Sequence, residues 1–390
     1  MEKSTGNISG LGFTMKIAID ATIIRDEITG TGFYITNLIN GLKEIDNLNH
    51  YYIFGDEKYI IKHINLKGIE NFKIIHKRFK NRFIRVLWEY FILPLSLRAL
   101  KFDILHSPNY ITPLLKFKFK IILTIHDLTF LLFPEKHTIT KRLLFGKMIS
   151  FYIKKADKII SVSENTKKDI LQFFNIPEEK IAVTYESIPG YYNNLIDHVQ
   201  VKKILKKYSI TGKFILFVGM IEPRKNILSL LKAFVELDKE LDLDLVIVGK
   251  KGWDYDEIEQ YIKNIEKMKL KNNIILTGYI AEEELKYFYQ EAFMFIYPSL
   301  YEGFGLPPLQ AMACGTPVIT SNISSLPEVV GDAAIKINPD SLDCLVKSIK
   351  LVYNDQDFRN LLIKKGLERA ALFNLEKIAQ NTLRIYESVK

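Results

Sequence analysis

The densest concentration of chemically capable residues is the run Tyr297-Pro-Ser-Leu-Tyr-Glu-Gly-Phe-Gly-Leu-Pro-Pro-Leu-Gln-Ala-Met-Ala-Cys-Gly-Thr-Pro317. An apolar strand ends at Tyr297. Pro307-Pro308 suits the first turn of a helix, where a backbone amide has no intrahelical partner in any case. Between them, Gly303 and Gly305 let the backbone come close to a ligand, with Phe304 and Leu306 in the same turn. Free amides at a helix start bind anions and polar hydroxyls. Glu302 adds a carboxylate within reach of the same ligand. A second run, Phe217-Val-Gly-Met-Ile-Glu-Pro-Arg-Lys-Asn226, also leads from a strand through a turn, at Gly219, into a helix. Its Arg224 and Lys225 are expected to project into a cleft, where two fixed cations stabilise a departing diphosphate. His126-Asp127 follows the apolar run Ile121–Ile125, again at the carboxyl end of a strand. A histidine there is structural or functional, and Asp127 either orients it or caps the next segment.

These residues need strands and helices to hold them. Lys16–Asp20 reads as a buried strand, followed by the loop Thr29-Gly-Thr-Gly32 and a helical pattern over Phe33–Leu42. Short apolar runs recur at Tyr51–Phe54, Ile104–His106, Ile121–Ile125 and Ile159–Val162, with helix-length stretches between several of them. The pattern restarts with strands at Phe214–Val218, Leu245–Val248, Ile274–Leu276, Met294–Tyr297 and Pro317–Thr320, separated by helices over Ile227–Leu237, Tyr255–Met268 and Glu282–Ala292. Repeated strand–helix alternation predicts an α/β protein with two Rossmann-like, doubly wound parallel sheets. The expected division is a disordered extension over 1–14, a first domain over 15–195, a second over 196–372 and a terminal segment over 373–390. Two such domains facing each other place a cleft at the carboxyl ends of both sheets.

Composition narrows the class. Hydrophobic residues at 48% and charged residues at 25% fit a soluble globular protein. No apolar run approaches the roughly 18 residues of a membrane span. Two cysteines, Cys314 and Cys344, give neither a disulfide framework nor a thiolate metal site. A cytoplasmic enzyme fits. Residues 1–190 hold 28 Lys and Arg against 19 Asp and Glu, so this half carries the whole formal net charge of +9. Such asymmetry points to an anionic partner.

The Glu302 run closely resembles the retaining glycosyltransferases of family four, which have the GT-B fold. The resemblance implies that Glu302 contacts the donor sugar, and that Phe304, Gly305 and Leu306 bind sugar or phosphate through their backbone. It implies that His126 reaches the sugar and that Gly219, Arg224 and Lys225 form the phosphate-binding loop. It also implies that Gly30 and Gly32 close over the phosphates or the acceptor, and that Tyr279 and Ile280 meet the nucleobase unless they simply pack. The family's second acid, which grips the ribose diol, falls on Gln310 here. An amide offers one acceptor oxygen where a carboxylate offers two. Weaker nucleotide binding is therefore expected, and Gln310→Glu is expected to tighten it. The turn Glu222-Pro-Arg-Lys-Asn226 reads as it does in mannose-transferring members. The terminal segment Phe373–Gln380 resembles the one that crosses back onto the first domain in GT-B proteins.

The implied reaction moves a hexose, with GDP-mannose favoured over UDP-sugars, to a saccharide or lipid-linked saccharide acceptor of O-antigen, capsule or another surface polysaccharide. The nucleotide sugar is a substrate, and neither a separate cofactor nor a metal site is expected. Alternatives are a non-catalytic nucleotide-sugar-binding protein of the same fold and a GT-B epimerase. A dinucleotide-dependent oxidoreductase is disfavoured because neither half has a Gly-x-Gly-x-x-Gly turn. The stretch Lys77-Arg-Phe-Lys-Asn-Arg-Phe-Ile-Arg-Val-Leu-Trp-Glu-Tyr-Phe91 interleaves cations with aromatics. It suits peripheral contact with anionic lipid at the inner face of a cell membrane, or else an amphipathic core helix with a solvated basic start. No nucleic-acid module is present.

Overall fold

Long β-branched and aromatic runs with little polar interruption make strands that can be buried on both faces, and such strands pair in parallel under covering helices. The computed structural model describes residues 14–28, 30–132, 148–193 and 197–390. The expected extension therefore lies outside the described residues for 1–13, as does Thr29 of the glycine loop. The first sheet contains β1 (Lys16–Asp20), β2 (His50–Gly55), β3 (Phe72–His76), β4 (Ile104–Ser107), β5 (Lys120–Ile125), β6 (Lys158–Ser161) and β7 (Ile181–Val183). Their order is β3-β2-β1-β4-β5-β6-β7. The second contains β8 (Phe214–Val218), β9 (Asp244–Val248), β10 (Ile274–Gly278), β11 (Met294–Tyr297), β12 (Val318–Ser321) and β13 (Ile335–Ile337), ordered β10-β9-β8-β11-β12-β13. Neighbouring strands run parallel throughout. This is the doubly wound α/β architecture expected from the alternation. Strand order reverses between β1 and β4 and again between β8 and β11. The crevices beside those reversals are where ligands lie in open α/β sheets.

The C-terminal helix Leu375–Ser388 packs on the helix Gly30–Ile45 of the first sheet's layer. A buried polar chain anchors it. Tyr386 Oη lies 2.7 Å from Nδ1 of His106 on β4, and Nε2 of that ring lies 2.8 Å from Thr124 Oγ1 on β5. Burial pushes the His106 imidazole down to about 3.

The basic–aromatic stretch packs part of its length into the first half. It forms the helix Arg82–Leu87, a π-helical turn Trp88–Ile92 and the helix Leu93–Ala99. Trp88, Glu89, Leu93 and Leu97 face inward and are buried, while Phe83, Ile84, Leu87, Phe91, Ile92 and Leu95 are exposed. Phe83 keeps 71% of its surface in contact with solvent, an unusual position for a phenyl ring. Among the described residues no helix is long and apolar enough to cross a membrane.

Candidate active site

The strand ends converge as the reversals require. A cleft of about 390 Å³ is lined from the first sheet's side by Gly30, His126 and Asp127, and from the second by Gly219, Lys225, Glu302 and the turn Gly303–Leu306, with Gln310 behind it. Tyr297 closes β11, so Glu302 lies five residues beyond a strand end. Gly305 adopts φ 113°, a left-handed conformation that a side chain would strain, and the helix Leu306–Ala313 starts immediately after it.

Gly303 explains how the two halves come so close. A Cβ there would lie 1.8 Å from the His126 carbonyl oxygen and 3.0 Å from Asp127 Cβ. The Thr166 hydroxyl donates to the carbonyl oxygens of both Gly303, at 3.1 Å, and His126, at 3.3 Å. Nearby, the Glu328 carboxylate accepts from the amides of Glu164 and Asn165, each at 2.9 Å, at the start of the helix Glu164–Phe173. Gly303→Ala is therefore expected to push the halves apart at the cleft, at a cost of about 1–3 kcal/mol of overpacking. A drop in melting temperature together with weaker donor binding would register it; an unchanged melt would mean the turn can yield.

Glu302 sits in a charge cluster. Its Oε1 lies 2.6 Å from Lys225 Nζ, and its Oε2 lies 3.2 Å from Arg224 Nη1. Ser299 also donates to Oε1, and Lys225 Nζ reaches the Tyr297 hydroxyl at 2.6 Å. Burial works against the Glu302 charge, but the facing Lys225 and Arg224 outweigh it and hold the carboxyl down to about 2. Burial also pulls the Lys225 ammonium below its usual range, more than its pairing with Glu302 restores. Glu302 is ionised, because two cations and a hydroxyl converge on it. Arg224 stands behind this pair rather than in the cleft wall: Glu222 accepts from its Nε and Nη2 at 3.0 and 2.7 Å, and the Tyr301 carbonyl accepts from Nη1 at 2.6 Å.

His126 is buried at the cleft with a partner on each nitrogen. Nδ1 lies 3.0 Å from Glu186 Oε1, and Nε2 lies 3.0 Å from the Pro108 carbonyl oxygen. Tyr34 meets the ring edge-on, with centroids 5.0 Å apart. Asp127 takes the capping role left open by the sequence, because its Oδ1 accepts from the Thr129 amide and hydroxyl at 3.0 and 2.7 Å.

Three further residues singled out by sequence lie off the cleft wall. Gly32 lies in the first turn of the helix Gly30–Ile45, against Ile28. Ile280 is buried in the hydrophobic core. Tyr279 is partly exposed beneath Lys250 and lines an adjoining cavity of about 670 Å³. The cleft also contains Glu186, Glu282 and Phe33, which the motifs did not mark. Glu186 is a buried acid in the stretch leading out of β7, and burial of an acid has no local sequence signature.

Two family descriptions match the chain side by side. Residues 28–189 match "Glycosyltransferase Family 4" and residues 200–369 match "Glycosyl transferases group 1". The chain belongs to glycosyltransferase family 4. It is 29% identical over 398 residues to the O-antigen chain mannosyltransferase B of Escherichia coli, covering 96% of this chain and 100% of that one. It is 28% identical over 358 residues to the serotype-specific mannosyltransferase WbdA of Escherichia coli, covering 87% of this chain and 43% of that longer protein. Among solved structures, Anabaena Alr3699/HepE in complex with UDP and glucose superposes with a TM-score of 0.73 at 15% identity, covering 96% of this chain and 100% of that one. The family 4 glycosyltransferase thus has the GT-B fold, with its cleft between two parallel-sheet halves.

Proposed function

We propose that this glycosyltransferase moves mannose from GDP-mannose to a hydroxyl of a saccharide or lipid-linked saccharide acceptor in surface-polysaccharide synthesis, with retention of anomeric configuration. The observation that carries the reading is Glu302, fixed by Lys225 and Arg224 in a cleft where the carboxyl ends of both sheets meet. An ionised carboxylate there accepts hydrogen bonds from sugar hydroxyls, and Lys225 and the Gly303–Leu306 turn supply positive charge and amides for the diphosphate. The bond from the anomeric carbon to the phosphate oxygen breaks while the acceptor oxygen bonds to that carbon from the same face. The acceptor's proton passes to the departing phosphate oxygen, and GDP leaves. Mannose is favoured by the turn Glu222–Asn226 and by relatives named as mannosyltransferases. The neighbour holding UDP and glucose supports a nucleotide sugar in this cleft.

A panel of nucleotide sugars, measured for binding and for slow donor hydrolysis, tests the donor. GDP-mannose should bind most tightly; tighter binding of a UDP-sugar would replace it. Conversion of donor to an epimer with no acceptor present would indicate an epimerase instead.

The exposed apolar face over Phe83–Leu95 is read as a peripheral contact with anionic lipid, because the basic residues Lys77, Arg78, Lys80 and Arg82 precede it and the first half carries the chain's net charge. Each cation near such a surface contributes about 1 kcal/mol. Arg78 is also 3.5 Å from Asp56, which lowers its share. Neutralising all four should weaken binding to anionic vesicles by at least about tenfold in flotation assays, with little change on neutral vesicles. Equal binding to both vesicle types would remove the electrostatic part of this reading.

A further inference from the structure

Gln310 does not stand alone where the family pattern has an acid. It is buried on the helix Leu306–Ala313, and its neighbours fix its orientation. Tyr289 Oη donates to its Oε1 at 3.1 Å. Its Nε2 donates to Tyr192 Oη at 2.8 Å and reaches Glu282 Oε1 at 3.4 Å. Glu282 begins the helix Glu282–Glu291, and its Oε1 also accepts from the hydroxyls of Tyr191 and Tyr192. Three donors therefore converge on one oxygen of a part-buried carboxylate. Among the described residues Oε2 accepts no hydrogen bond, and the side chain lines the same cleft as Lys225 and Glu302. One oxygen is used for positioning, and the other is left to a ligand.

We propose that Glu282, oriented by Gln310, Tyr191 and Tyr192, is the carboxylate that holds the ribose diol of the nucleotide donor. This deepens the sugar-nucleotide reading above and rests on it. A vicinal diol presents two O–H donors, and a charged acceptor forms hydrogen bonds roughly twice as strong as a neutral one. The negative charge missing from position 310 is thus supplied from a different helix, with the carboxamide as its neutral partner. The pairing also reverses the effect expected of Gln310→Glu. A second carboxylate would stand about where Gln310 Nε2 now meets Glu282, 3.4 Å away. Burial already raises the Glu282 carboxyl above its ordinary range, so two acids there cannot both ionise without penalty. Gln310→Glu alone should loosen nucleotide binding.

Calorimetry with GDP, UDP and their 2′-deoxy counterparts separates the ribose from any sugar diol, since none of these probes carries a hexose. The intact chain should prefer its ribonucleotide over the 2′-deoxy form by about tenfold. Glu282→Gln should lose about tenfold in ribonucleotide affinity and nearly all of that preference. Gln310→Glu should weaken binding, and the exchange Glu282→Gln with Gln310→Glu should restore it to within about threefold. A folded Glu282→Gln variant with undiminished preference would overturn the assignment. If Glu282→Gln does not fold, Glu282→Asp decides: a carboxylate drawn back by one methylene should lose most of the preference, and an undiminished preference refutes the assignment. Failure of the intact chain to bind any nucleoside diphosphate would instead sink the sugar-nucleotide reading itself.

Discussion

Glu302→Gln is expected to lower kcat/KM by about 10²–10³-fold with the fold intact, the usual scale for removing one preorganised electrostatic contact from a reacting centre. The amide keeps the shape of the side chain and one acceptor oxygen for Ser299 and Lys225. It cannot neutralise Lys225 and Arg224 together, and the sugar loses a charged acceptor. Glu302→Ala is a poorer probe of the same point. Lys225 is only 7% exposed, and removing its partner leaves a buried cation uncompensated, at a cost of about 3–5 kcal/mol. Lost activity in the alanine variant would mix chemistry with folding. Steady-state kinetics and thermal melts of both variants separate the two, and turnover near that of the parent in a folded Glu302→Gln variant would remove Glu302 from the centre.

The central strands were legible because they are buried on both faces. β1, β5 and β8 are continuous apolar runs that no turn or helix explains as well. The strands that escaped notice, β3, β7 and β13, are each a sheet edge. β3 reads Phe-Lys-Ile-Ile-His and β13 Ile-Lys-Ile, so polar residues facing solvent break the apolar signal. The site divided along a similar line. Glu302, Lys225 and His126 follow strand ends within recognisable strings, and strand ends are where such a fold builds its cleft. Glu186 and Glu282 reach the cleft from the stretch after β7 and from a helix start. Glu282 meets Gln310 across 28 residues of sequence, and His126 meets Glu186 across 60. No periodicity encodes such pairings. Gln310 is likewise a neighbour of Glu282 only in the folded chain.

Acid should act against stability through His106 well before it touches Glu302. The ring is buried between Tyr386 of the C-terminal helix and Thr124 of β5, and burial holds it at about 3 against an ordinary value of 6.5. Between those two values the unfolded chain binds a proton that the folded chain refuses, so stability falls as pH drops through the window and is fully present above 6.5. One pKa unit corresponds to about 1.36 kcal/mol, so moving from about pH 7.5 to about pH 5 removes about 2 kcal/mol through this residue alone. Glu302 behaves differently. Its carboxyl is held down to about 2, so its share survives until pH falls below its ordinary 4.5 and is lost on the way to 2. Glu89 acts in the opposite sense. Burial raises its carboxyl to about 8, so its contribution declines as pH rises from 4.5 towards 8 and outweighs the histidine in the raw profile. The difference between parent and His106→Gln removes that contribution. The variant loses a constant amount from its altered hydrogen bonds, and the gap to the parent should then narrow by about 2 kcal/mol between about pH 7.5 and about pH 5 in urea titrations. A gap independent of pH would mean that the folded protein admits a proton to the imidazole, and that the C-terminal helix is held by packing against Gly30–Ile45 without the neutral Tyr386–His106–Thr124 chain.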